Sequence, residues 1–171
     1  MAIDAVEFRN GMARLGAGVA VVTTDGPAGR LGVTCTAVCS VSDDPPTLLV
    51  CLHRQSRALA AVKSNGVFCV NVLSGHQEEI SKAFGGQAGM AMSERFSIGQ
   101  WRTLSTGAPA LLSAIESIDC KFTGLIEVGT HSVVFGEVDA IAMSREANFL
   151  IYLNRQYRSL HDEMARSQKH Q

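Results

Sequence analysis

Gly32 to Leu52 reads GVTCTAVCSVSDDPPTLLVCL, and the pattern of this stretch decides the fold. Thr34, Thr36, Val38, Ser40 and Ser42 fall on one parity, and Cys35, Ala37, Cys39 and Val41 on the other. One extended strand through them shows a mostly hydroxylated face and an apolar one. Asp43-Asp44-Pro45-Pro46 then breaks the strand, because acids favour side-chain-to-backbone turns and proline pushes the residue before it out of helix. Thr47 to Leu52 resumes as an almost wholly apolar run, the pattern of a strand buried on both faces. A small-residue, hydroxyl-rich strand beside a buried partner makes a floor for a flat polar ligand. The same alternation is also the ordinary pattern of a half-exposed antiparallel strand.

Composition bounds what the chain does. Its 171 residues predict one domain, long enough to bury its own core. Apolar residues make up 46%, charged residues 18%, and the net charge is -1, so nothing electrostatic calls for nucleic acid. No apolar run approaches the length of a bilayer crossing, and MAIDAVEFRNGM lacks the basic start and apolar core of a secretory signal. The expectation is a cytoplasmic protein with no membrane partner. The five cysteines, Cys35, Cys39, Cys51, Cys69 and Cys120, sit in apolar segments and read as free thiols packed as small hydrophobes. Cys35 and Cys39 share a face of an extended strand, but no paired cysteine motif or nearby histidine completes a metal site.

Outward from the central stretch, Asp4 to Leu15 has the spacing of an amphipathic helix with acids early and Arg14 late. Val19 to Thr24 is a strand, and Asp25-Gly26-Pro27-Ala28-Gly29 is hairpin punctuation. Beyond Leu52, Ser56 is placed to cap a short helix over 58–63. Arg54, Ser56 and Arg57 with that helix N-terminus form either an anion cradle or a capped surface helix with solvated arginines. Val67 to Leu73 is a buried strand carrying one amide, Asn71, which a ligand or a neighbouring turn would satisfy. Gln77 to Phe84 reads as a helix, Gln87 to Arg102 as an irregular Met-rich loop that is either a lid or a wandering connection, and Leu111 to Phe122 as a strand. Gly124 to Val128, Val133 to Ala142 and Leu150 to Leu153 are further strands. His131 stands beside the Gly129-Thr130 turn, and a polar tail frays from about residue 161.

Several segments converge on one family: TCTAVCSVSDDPPTLLVCL at 34–52, KSNGVFCVNVL at 63–73, AFGG at 83–86, MAMSERF at 90–96, GTHSVVFGEV at 129–138 and LIYLNRQYRSL at 150–160. In order and spacing, over nearly the whole chain, they resemble the short-chain flavin reductases that supply two-component aromatic monooxygenases. The likeness extends to the 4-hydroxyphenylacetate and chlorophenol monooxygenase reductases and to the reductase of pyrimidine-ring degradation. The resemblance implies a mainly β chain with short flanking helices, an antiparallel Greek-key split barrel of the FMN-binding type, working as a homodimer. It implies an NAD(P)H:flavin oxidoreductase that reduces FAD or FMN and passes diffusible reduced flavin to a separate monooxygenase acting on a phenolic substrate. A partner in pyrimidine degradation and a non-catalytic flavin- or haem-binding barrel are the alternatives. A pyridoxine-phosphate-type oxidase on the same barrel fits the motifs less well.

Residue by residue, the resemblance places Thr34, Cys35, Thr36, Ala37, Ser40, Val41 and Ser42 along the isoalloxazine and Arg54, Ser56 and Arg57 at the flavin phosphate. Cys69 and Asn71 would edge the pocket, and Phe84 would act as a lid residue. His131 would contact the nicotinamide, with Arg155 and Tyr157 as further substrate contacts. NADH is expected over NADPH, since no arginine cluster for a 2′-phosphate is evident in the sequence. The chain departs from its likenesses in carrying thiols at Cys35 and Cys39 and an imidazole at His53.

Overall fold

The computed structural model describes residues 3–87, 89–145 and 148–161. In chain order the elements begin α1 (Ala5–Met12), β1 (Ala17–Gly18), β2 (Ala20–Thr24), β3 (Leu31–Cys35), β4 (Val38–Asp43), β5 (Pro46–His53), α2 (Arg57–Asn65) and β6 (Val67–Val72). They continue α3 (Glu78–Phe84), α4 (Met92–Ser97), β7 (Trp101–Thr103), β8 (Pro109–Leu111), β9 (Glu116–Val128), β10 (His131–Met143), β11 (Asn148–Leu153) and β12 (Gln156–His161).

Seven strands pair in the order β3-β2-β6-β9-β10-β5-β4, each pair antiparallel. The two edge strands of this sheet, β3 and β4, are consecutive in the chain and separated by Thr36 and Ala37 alone. Three peptide steps reach about 11 Å, so the two edges have to meet and the sheet curls into a barrel. At the seam the Cys35 thiol of β3 donates to the Cys51 carbonyl of β5 at 3.5 Å, while Cys51 N–H donates to the Ala37 carbonyl at 3.0 Å and continues the β4–β5 ladder through the link. The single strand expected over Thr34 to Ser42 is therefore two strands that pair on opposite edges, and their side-chain parity resets at the link. Cys35 is buried and Cys39 exposed, so the two thiols do not share a face.

β5 also differs from expectation. Leu48, Val50 and Leu52 point into the core while Leu49 and Cys51 stay half exposed, because the helices lie over β2, β3 and β6 instead. β2 and β6 are buried on both faces. Ala20 and Val22 enter the barrel core with Val50, Phe68, Val70 and Val134. Val19 and Val21 face a second core with Ile80, Phe84 and Leu150. Each such Val, Leu or Phe contributes about 1.5–3 kcal/mol by leaving water. Gly136 on β10 lets this packing close, since a Cβ there would lie 2.3 Å from the Phe68 ring.

Other boundaries follow local chemistry. Asp4 caps α1 by accepting from the Val6 and Glu7 amides, and Gly66 ends α2 in the left-handed conformation at φ 72. The run from Leu111 to Phe122 is divided by a turn in which Ala114 N–H donates to Leu111 O. The Met-rich segment holds α4, started by the Glu94 carboxylate accepting from Ala91 N–H at 2.7 Å. Its Met90, Met92 and Phe96 pack against the second core, so the segment is a packed connection. The chain also gains a strand not expected from sequence: Asn154 and Arg155, at φ 50 and 60, turn β11 back into β12. The tail beyond residue 161 lies outside the described residues. No helix among the described residues is long and apolar enough to cross a membrane.

Asn71 is fully buried between β2, β6 and β8. Its amide donates to the Val21 and Pro109 carbonyls and the Thr23 hydroxyl. Its oxygen accepts from Leu111 N–H at 2.7 Å and the Ser117 hydroxyl at 2.9 Å. Asn71→Ala strands these partners in a dry interior. It is expected to cost about 3–5 kcal/mol and to lower the melting temperature by roughly 10 °C in a calorimetric scan.

Candidate functional site

The link that closes the barrel is also the floor of a cleft. Thr36 and Ala37 are both exposed, and they open onto a cleft of about 940 Å³ walled by Val6, Arg9 and Met12 of α1 and by Tyr152 and Arg155 of the β11–β12 hairpin. The Arg155 guanidinium donates to Asn10 Oδ1 at 2.5 Å and Asn154 N–H to Ala13 O at 2.6 Å. These bonds hold helix and hairpin together as one wall. A floor without large side chains exists here because the chain crosses a seam rather than running on as a strand.

The hydroxyls foreseen along this stretch divide by role. Thr34 Oγ1 donates to the Ser81 carbonyl at 2.6 Å, fixing α3 to β3. Ser42 Oγ is taken up by the turn at Asp44. Thr36 and Ser40, both exposed, stay available, as does Val41, 49% exposed on β4.

The second group lies around the end of β5. Ser56 caps α2 by accepting from Ala58 N–H, and Arg57 follows in the first turn, exposed and outside every ion pair among the described residues. That first turn carries no acid, so the positive helix end and an uncompensated guanidinium coincide. Arg54 is committed differently, to Glu127 at 2.6 Å and to the Gly129 carbonyl at 3.3 Å. His53 and His131 are direct cross-strand neighbours on β5 and β10, with ring centroids 5.3 Å apart. Gln55 N–H donates to His53 Nδ1 at 3.2 Å, which places that ring's proton on Nε2. His53, Arg54, Gln55, Glu127, Gly129 and Thr130 line a cleft of about 540 Å³, so a carboxylate stands in it beside Arg54. His53 stands two residues along β5 from the Cys51–Ala37 bond, roughly 7 Å, so this group and the seam share one end of the barrel.

Four residues expected at the pocket have their side chains in the interior instead, the first being Cys35, 6% exposed in the barrel core. Asn71 is saturated by protein partners. Cys69 is fully buried against Ala108 and Ala110. Phe84 is 1% exposed, stacked edge-on with Phe96 and Trp101 under Gly32, where a Cβ would come within 2.7 Å of its ring. Phe84 is thus a core residue and not a lid. Tyr157 stands at the hairpin with its hydroxyl 2.9 Å from Ser81 Oγ. Sequence reasoning missed the α1 wall and Tyr152; the one signal for Tyr152 was the Asn154-Arg155 turn. No cluster of three or more metal-ligating side chains forms among the described residues.

An antiparallel barrel with two seam strands and an open cleft at the seam defines a class of small-ligand split barrels. The family model described as flavin reductase like domain matches residues 12–161, and the chain belongs to that family. It is 50% identical over 159 residues to the FMN reductase (NADH) RutF of Ancylobacter novellus, covering 93% of this chain and 87% of that one. A crystal structure of a candidate flavin reductase from Haemophilus somnus superposes with a TM-score of 0.88 at 40% identity, over 92% of this chain and all of that one (100%). BorF, the flavin reductase component of a bacterial two-component tryptophan halogenase, superposes at 0.86 with 26% identity, over 94% and 100% of the two chains.

Burial sorts the thiols. It pushes the Cys35 thiol up to about 11 and Cys120 up to about 12, and raises Cys69 further. Folding keeps these protons at pH values where the unfolded chain, with thiols near 9.0, has lost them, so stability falls as pH rises through that value. Native alkylation at mildly alkaline pH, read by mass spectrometry, is expected to label Cys39 first and Cys51 more slowly, while Cys35, Cys69 and Cys120 react only on unfolding.

Proposed function

We propose that this protein is an NADH-dependent flavin reductase whose preferred flavin is FMN, and that it releases reduced flavin to a separate monooxygenase. The observation that carries the reading is the cleft of about 940 Å³ floored by Thr36 and Ala37, within the volume range of small-ligand sites. A flavin supplies the hydride acceptor of the reaction, and the chain supplies position and electrostatics.

In this reading Thr36 and Ser40 offer hydroxyls along the ring edge, and the small Ala37 lets the ring approach the backbone. Arg57 and the α2 N-terminus meet the phosphate, since a charge-assisted bond there is opposed by no carboxylate. His53 and His131 present two imidazoles beside that end of the barrel, where His131 orients the nicotinamide. The clefts are open, which suits a flavin that has to leave after reduction. The half-identical relative is named an FMN reductase (NADH), which favours FMN over FAD and NADH over NADPH.

We also propose a homodimer. Ile126 and Val128 at one end of the β9–β10 ladder and Ile141 and Met143 at the other are large apolar side chains each more than half exposed, two patches that association would cover. Light scattering behind size exclusion is expected to give twice the 18.2 kDa chain mass; a single chain mass would reject it.

The deciding assay follows NADH oxidation with purified protein alone and with FMN, FAD or riboflavin. Turnover that requires added flavin, fastest with FMN, is expected; a folded protein that oxidises no NADH with any flavin would overturn the reading. Arg57→Ala is expected to raise the KM for FMN about tenfold while leaving riboflavin, which has no phosphate, within twofold. His131→Ala is expected to lower kcat/KM for NADH about tenfold with the KM for FMN little changed.

A further inference from the structure

Two arginines at the start of α2 are in opposite situations. Arg57 stands in the first turn of the helix with no acid beside it and outside every ion pair among the described residues. Arg54 is closed off: one arm of its guanidinium meets the Glu127 carboxylate at 2.6 Å, and the other donates to the Gly129 carbonyl at 3.3 Å.

The backbone around Arg54 is fixed as well. Ser56 N–H donates to the His53 carbonyl at 2.9 Å, which closes the turn from β5 into α2. Arg54 N–H donates to the Thr130 carbonyl at 2.9 Å, which ties that turn to the one between β9 and β10. These two turns are the walls of the cleft of about 540 Å³, large enough for a nucleotide-sized group. Gln55 on its wall is the second residue before Arg57, so the cleft begins beside the α2 N-terminus. Its acidic and basic lining is Glu127 and Arg54, whose charges cancel. An anion entering it meets the Glu127 carboxylate and the Gly129 carbonyl, and Arg54 has to leave both in order to bind it.

We infer that Glu127 is a specificity-determining residue, which by holding Arg54 selects a flavin with one phosphate against a flavin dinucleotide. The inference rests on the reductase reading, in which the FMN phosphate lies at Arg57 and the α2 N-terminus. A flavin dinucleotide continues past that phosphate with a second phosphate and an adenosine, and the adjoining cleft is where those groups have room. FMN ends before it. The ion pair thus leaves FMN unopposed and resists the dinucleotide, which is selection by an element that repels the wrong ligand. The Arg54 and Glu127 side chains are 47% and 49% exposed, so water and salt screen the resistance and keep it to a few-fold effect.

Calorimetric titration of the full chain with oxidised FMN and FAD, without NADH, tests the role. Glu127→Gln keeps the side-chain shape at a half-exposed position and removes its charge. The variant is expected to tighten FAD binding about fivefold and to leave FMN binding within twofold. Adding Arg54→Gln to it removes the freed cation and is expected to cancel the gain for FAD. A wild type that binds FAD as tightly as FMN would overturn the inference, as would an FAD affinity unmoved in Glu127→Gln. Equal gains for both flavins, or a gain that survives in the double variant, would overturn it too. NADH oxidation by the same proteins separates it from the reductase reading. Turnover of FMN by the wild type with the KM for FAD unmoved in Glu127→Gln rejects the specificity role alone, whereas a wild type that neither binds nor reduces any flavin rejects both.

Discussion

Two residues have to carry the chain from one edge of a seven-stranded sheet to the other. Thr36 and Ala37 meet that constraint, and much of the rest of the structure depends on it. Their short reach forces the edges together, which encloses Val22, Val50, Phe68, Val70 and Val134 as a single core. It also leaves a place on the barrel where no large side chain covers the backbone. A regular strand would have offered alternating side chains there. The seam offers a hydroxyl and a methyl group, and the helix and hairpin that flank it turn that gap into a cleft.

The same constraint explains which parts of the fold were legible in the sequence. Hairpins announced by glycine and proline, such as the turn after Thr24, were visible because the turn chemistry is local. The α2 cap at Ser56 was visible for the same reason. The break at Thr36–Ala37 was not, because neither residue is a turn former and the alternation on each side of it runs on without a gap. What divides the strand is pairing with two distant partners, β2 and β5, and no local signal records that. The β11–β12 hairpin was hidden in a related way: asparagine followed by arginine is a weak form of the turn that asparagine and glycine signal strongly.

The site was legible in outline through the family resemblance and less so in its individual residues. A buried Asn in an apolar strand has to be satisfied, but sequence does not say whether protein or ligand does so. Asn71 finds its partners on β2, β8 and β9, elements far away in sequence. Phe84 stood next to two glycines, a setting that fits a mobile lid as well as a helix end, and its burial depends on Gly32 giving it room. Cys35 and Cys39 share a parity in sequence, but they lie on two strands, β3 and β4, and face opposite environments.

Charge placement shows how a nearly neutral chain serves anionic ligands. Of the described ion pairs, those at Asp25, Glu127, Glu78 and Asp139 each neutralise a cation on the surface. Nine described cations stand outside these pairs, and of them Arg9 and Arg155 line the cleft at the seam and Arg158 a cleft at the hairpin, while Arg57 sits at the α2 N-terminus. A cation paired to a carboxylate would have to give up that partner to receive a phosphate. One held by an amide, or set at a helix N-terminus, pays no such exchange and keeps its full field in the groove. The contacts are exposed, however, so solvent and salt weaken each of them. The result is attraction without a tight grip, which is the electrostatic balance required of a protein whose ligands have to arrive, react and depart.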